Sequence, residues 1–265
     1  MKNLLFKFFC LLLLSASALD SYGSATFSNT NSILINDSTN PPTMASPYGS
    51  VINVSGLAGT AISKVTVQLF GLYHSFPDDI DMILIGPKGQ EAMIMSNVGG
   101  DIRSPVTNIN LVLDDDAASY LPFQPPLLSG TFKPTKRLET LTFDFPAPVP
   151  AGSAAVPAPL SVFQNTSPEG QWRLFIIDDA YPDAGGINGG WSLTISTMPV
   201  LLDIQPIGNS VILSWTNTLS GYSLQTTPDL SGGWTNAVPA PVNSNGRFTV
   251  TNSAAGPSRF YRLIK

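Results

Sequence analysis

Cysteine and histidine are nearly absent from this 265-residue chain, which holds one of each, Cys10 and His74. Cys10 lies in an apolar N-terminal stretch, so its removal with that stretch would leave no disulfide, no thiol catalysis and no cysteine metal site. A single histidine rules out a multi-histidine metal centre, and any Ser-His-Asp triad would have to be built around His74. Neither a G-x-S-x-G elbow nor an H-E-x-x-H pair occurs anywhere. Glutamate is scarce too: every acid other than Glu91, Glu139 and Glu169 is an aspartate. After the N-terminal stretch no apolar run reaches the roughly 18 residues that a membrane-spanning helix needs.

What is present begins with Met1–Ala18, "MKNLLFKFFCLLLLSASA", in which Lys2 and Lys7 precede a short apolar run ending in small residues. This is the layout of a secretory signal peptide and predicts export, with cleavage after Ala18 or, in "YGSA", after Ala25. Without Lys2 and Lys7 the chain carries 11 basic and 18 acidic residues, a net charge of −7. Such a balance makes nucleic acid and anionic lipid poor partners.

The body reads as β throughout. "KVTVQLF" alternates Val65, Val67 and Leu69 with polar residues, and "WSLTI" does the same with Trp191, Leu193 and Ile195. "MILI" from Met82, "MIM" from Met93 and "LFII" from Leu174 are instead continuous apolar runs, expected where both faces of a strand are covered. No helical apolar stripe appears, so helices should be few and short. The Pro- and Gly-rich stretch from Leu121 to Leu160 is expected to be a long connection within one domain, with "RLETLTFDF" as a strand inside it. A boundary is expected near Met198-Pro199, followed by a small β-module over 199–265 built on "VILSWTN", "YSLQTT", "RFTVTN" and "RFYRLIK". Trp234, Phe260 and Tyr261 there are assigned to core packing, with an exposed binding patch as the alternative.

The aspartates cluster as Asp78-Asp79 with Asp81, as Asp178-Asp179 with Asp183, and as Asp114-Asp115-Asp116. A pair of acids could serve glycoside hydrolysis. The short aspartate side chain in loops is better suited to a hard cation, which takes six to eight oxygens at roughly 2.3–2.6 Å. Calcium is therefore expected at Asp78, Asp79, Asp81, Asp178, Asp179 and Asp183, which flank strands that could meet at one sandwich end. Asp115 and Asp116 are secondary candidates. The structural alternative is that these are turn residues that bind nothing. His74 is expected to be fixed by hydrogen bonds at a strand end rather than to act as a general base.

Two long segments, "VSGLAGTAISKVTVQLFGLYHSFPDDIDMILIGPKGQEAMIMSNVGG" and "LSVFQNTSPEGQWRLFIIDDAYPDAGGINGGWSLTI", resemble the two halves of the P domain, or Homo B domain, of subtilisin-like proprotein convertases. The intervening "NLVLDDDAAS" and "LLSGTFKPT" are similar to bacterial members, so the resemblance runs from about Ser28 to Thr197. It implies a jelly-roll β-sandwich over 26–198, in a domain that is not itself catalytic and acts on a neighbouring protease domain. Only the leader and a few residues precede the match here, so a protease partner is expected in trans. The tail resembles short β-modules that end many secreted bacterial proteins.

Three function classes follow. The first is an exported noncatalytic accessory or binding module for a subtilisin-like protease or another extracellular partner, braced by calcium. The second is an extracellular adhesin or carbohydrate binder, and the third a hydrolase with an unrecognised site.

Overall fold

The computed structural model describes residues 23–100, 104–137, 144–216, 222–244, 247–255 and 258–264. The leader and most of the "RLETLTFDF" candidate lie outside the described residues. The fold is an all-β sandwich, in which the only helical pieces among the described residues are three 3-10 turns, Pro77–Asp79, Ser153–Ala155 and Leu160–Phe163.

One sheet of the sandwich is organised on the 15-residue strand Thr60–His74. Trp191–Pro199 and Gly185–Ile187 pair along one of its edges and Val106–Asp114 along the other. Gly23–Asn29 and Ile33–Ile35 extend the sheet beyond the first two, and Gly130–Phe132 pairs in parallel with the third. The second sheet runs Thr135–Lys136, Glu91–Ser96, Ile80–Ile85, Gly170–Asp178, with Thr43–Met44 and Ser50–Val54 both on the outer side of the last strand. The alternation read in "KVTVQLF" holds, since Val65, Val67 and Leu69 are buried while Lys64, Thr66 and Gln68 are half-exposed. Trp191, Leu193 and Ile195 likewise turn into the core.

The core joins inward residues of both sheets, among them Val67, Leu111 and Leu193 from one and Met82, Ile94, Trp172 and Ile176 from the other. Both buried indoles of the sandwich find an acceptor: Trp172 Nε1 donates to the Pro168 carbonyl at 2.9 Å, and Trp191 Nε1 donates across the sandwich to Ser50 Oγ at 2.9 Å. This removes the cost of burying an unpaired N–H. The continuous apolar runs have the predicted cause. Ile83, Met93, Phe175 and Ile177 point away from the main core into a second cluster closed by Phe145, Val149 and Tyr48. The Pro-rich connection thus supplies the outer cover of the second sheet.

Two small sheets follow. Asp203–Ile207, Ser210–Thr216, Arg247–Ser253 and Val242–Ser244 form one, and Thr235–Asn236, Ser223–Thr227 and Phe260–Ile264 the other. They share a core of Leu213, Trp215, Leu224, Ala237 and Val250. Among the described residues no strand of these sheets pairs with one of the sandwich. The three tail aromatics divide: Tyr261 packs on the small core, Trp234 is half-buried and Phe260 is exposed.

Candidate functional site: the aspartate end of the sandwich

Strand register brings the two predicted aspartate groups together. Ile80–Ile85 leaves the Pro77–Asp79 turn and runs antiparallel to Gly170–Asp178, so that Asp178 lies opposite Ile80 and Ile177 opposite Asp81. The turn before one strand and the loop after the other therefore share one end of the sandwich. The Asp179 N–H donates to the Asp79 carbonyl at 2.9 Å, and Ser75 Oγ donates to Asp183 Oδ1 at 2.7 Å. Gly185 allows the closure on the other sheet. It lies opposite His74, and a Cβ there would collide with the Tyr73 carbonyl and the His74 ring.

His74 is 2 % exposed and both ring nitrogens are engaged. Nε2 lies 3.0 Å from Asp178 Oδ2, and Nδ1 lies 2.9 Å from the Phe76 carbonyl oxygen and 3.1 Å from the Phe76 N–H. Asp178 Oδ1 also accepts from the Ala180 N–H at 3.1 Å. The imidazole is consequently a fastener between a strand end and the facing loop, as expected from its place in the sequence.

The other carboxylates face one another with little compensation. Burial first, and then the charges of Asp178, Asp179 and Asp183, push Asp79 up to about 7. Burial and the neighbouring Asp179 push Asp81 up to about 8, against a hydrogen bond from Ser96 that favours the charged form. Asp179 rises to about 6 through burial and the charges of Asp178 and Asp78, and Asp178 is raised by burial despite its bond to His74. Asp81, only 1 % exposed, keeps Oδ1 buried without a hydrogen-bond partner. Basic side chains reach two of these acids, with Arg137 Nη1 at 3.6 Å from Asp78 Oδ1 and the charge of Lys136 felt at Asp81.

Sequence reading missed Asp37. Its charge acts on Asp178, and its own Oδ1 is buried without a hydrogen-bond partner. It stands alone in the turn "NDSTNPP", where nothing local distinguishes it from a solvated loop residue. The third acidic run is used otherwise. Asp115 accepts the Leu160 and Ser161 N–H groups at 2.9 and 2.7 Å, and Lys64 Nζ holds Asp114 and Asp116 at 2.8 and 2.7 Å.

The donor chemistry suits a hard cation: clustered carboxylates, two of them with an orphaned buried oxygen. Among the described residues no three acidic, histidine or cysteine side chains converge to hold a metal as they stand. Loading an ion would thus require at least one carboxylate to turn from its present position. A cleft lined by Ala61, Met198, Leu202 and Arg247 lies at the other end of the Thr60–His74 strand from His74 and contains none of these site aspartates. No described helix is long and apolar enough to cross a membrane.

No family model matches the chain, and no curated protein matches it. Among solved structures, a crystal structure of the Aeromonas sobria serine protease in complex with its chaperone is similar at 16 % identity and a TM-score of 0.32. That match covers 66 % of this chain and 26 % of the other, so the chain spans about a quarter of its length.

Proposed function

We propose that the protein is an exported noncatalytic module of P-domain type, acting on a separate protease or extracellular partner, with calcium bracing the aspartate end of its sandwich. The observation that carries the reading is the state of His74. A general base needs a lone pair within reach of a substrate proton, whereas this imidazole is buried with both nitrogens bonded inside the protein. The order of the P-domain-like segments along the sequence supports the family, and the strand layout they imply is a sandwich.

Asp78, Asp79, Asp81, Asp178, Asp179 and Asp183 would hold the cation, with Asp37 beside them. A bound ion would neutralise carboxylates that now repel across two loops. Binding to the native state alone contributes RT ln(1 + [Ca]/Kd), about 2.7 kcal/mol at a hundredfold excess over Kd. We place leader cleavage after Ala18, because a cut after Ala25 would remove three of the seven residues of the Gly23–Asn29 strand, which pairs along Trp191–Thr197.

The test is thermal unfolding of the mature protein in millimolar calcium and in chelator, with a casein-hydrolysis assay on the same sample. A calcium-dependent rise in Tm without hydrolysis is expected. Hydrolysis that copurifies with the chain and disappears in His74→Ala would overturn the noncatalytic reading, and identical melting in calcium and chelator would remove the brace.

A further inference from the structure

Charge is distributed unevenly along the chain. Residues 199–265 carry four basic groups, Arg247, Arg259, Arg262 and Lys265, against the two acids Asp203 and Asp229, a net of +2. Residues 19–198 carry seven basic groups against sixteen acids, a net of −9. The basic tail also presents its aromatics in order. Along Phe260–Ile264, Tyr261 and Leu263 turn into the small core, which leaves Phe260, Arg262 and Ile264 on the outer face. Gln225 lies opposite Arg262 on one side and Asn236 on the other, so the two amides and the guanidinium form one row across three strands.

Arg262 is held in place before any ligand arrives. Its guanidinium stacks 4.2 Å from the centroid of the half-exposed Trp234 ring. Its Nε and Nη2 both donate to Gln225 Oε1, at 3.0 and 2.8 Å, while Nη1 has no hydrogen bond among the described residues. A stacked, oriented guanidinium with one open N–H edge suits a planar carboxylate. Flanking indole and phenyl rings suit the apolar faces of a sugar ring, and Asn236 adds an amide beside them.

We propose that this outer face binds an acidic polysaccharide, with Arg262 pairing the carboxylate of a uronic acid residue and Trp234 and Phe260 packing against pyranose rings. Size favours a glycan over a folded partner. Three strands spaced about 4.8 Å apart, the longer ones about 17 Å long, offer on the order of 170 Å². A standard protein–protein interface buries roughly 800 Å² per partner. The site would hold the exported chain at an acidic extracellular matrix while the sandwich stays clear for its own partner.

The experiment is native affinity electrophoresis of the mature full chain through gels containing polygalacturonate, alginate or the neutral polymer dextran. Retardation in at least one acidic gel and none in dextran is expected, although the chain as a whole is acidic. Arg262→Ala and Trp234→Ala should each weaken retardation tenfold or more. Arg262→Lys, which keeps the charge and removes the fork, should weaken it at least threefold with an unchanged near-ultraviolet circular dichroism spectrum. Absence of retardation in both acidic gels, equal retardation in dextran, or full retention in Arg262→Lys and Trp234→Ala would overturn the proposal. None of these outcomes bears on the calcium response of the sandwich end, so the two readings fail separately.

Discussion

Two acidic runs of the same residue type behave in opposite ways in this protein. In Asp114-Asp115-Asp116 every carboxylate is partnered: Lys64 serves the outer two and a pair of backbone N–H groups the middle one. At the sandwich end Asp79, Asp81, Asp178 and Asp179 are buried or crowded together, and their protons are held more tightly than those of ordinary aspartates. A run of aspartates is therefore no indicator of a site. What each carboxylate faces decides whether it is a cap, a surface ion pair or one of several charges awaiting neutralisation.

The largest expected effect separates the two regions most clearly. The His74 and Asp178 side chains are 0 % and 1 % exposed, and leaving one member of a buried hydrogen bond without its partner typically costs about 1–3 kcal/mol. Asp178→Ala should accordingly lower Tm by about 5 °C, read by calorimetry. A smaller loss than that of Asp115→Ala would break the contrast drawn here.

The next effect is a pH dependence whose sign is opposite to that of an ordinary salt-bridged carboxylate. Asp179, Asp79 and Asp81 titrate at about 6, 7 and 8 in the folded chain, whereas an unfolded aspartate titrates near 3.9. Between about pH 4 and pH 8 the folded chain thus binds more protons than the unfolded one, and stability falls as pH rises through that window. Melting in chelator from pH 4.5 to 8.5 should show this decline, and millimolar calcium should flatten it because the ion replaces the protons. A rising profile in chelator would show that the carboxylates are already well compensated.

Asp115→Ala should be milder. It uncaps the Leu160–Phe163 turn and leaves two N–H groups to water, a loss of about 1 kcal/mol by analogy with helix caps. Calcium should leave this difference unchanged, since the carboxylate faces backbone amides.

Much of the fold was legible because side-chain periodicity records which faces are covered. Val65, Val67 and Leu69 gave a one-sided strand, and "LFII" a two-sided one, whose outer cover proved to be Phe145 and Val149. The gathering of Asp78–Asp81 with Asp178–Asp183 was legible as well, because both groups adjoin strands of the same apolar type. Asp37 was not legible. It reaches the cluster through the return of a loop, and tertiary placement of that kind leaves no local pattern. The Arg262–Trp234 stack was hidden for a similar reason, since the partners are 28 positions apart and meet only through strand pairing. Composition made all three tail aromatics core candidates, and alternation along Phe260–Ile264 assigned only Tyr261 to the core.

The smallest expected effect is also a test of the comparison. Asp116 is exposed and shares Lys64 with Asp114, and that ammonium holds its carboxyl below the usual range. Exposed pairs of this kind contribute little, because solvent and salt already screen both charges. Asp116→Ala should leave Tm unchanged at physiological salt, with or without calcium, since Asp114 keeps Lys64 in place. A clear loss of stability in Asp116→Ala would mean that the two acids act on Lys64 jointly. The outer run would then be a charge network in its own right, differing from the buried end by the sign of its compensation rather than by the lack of one.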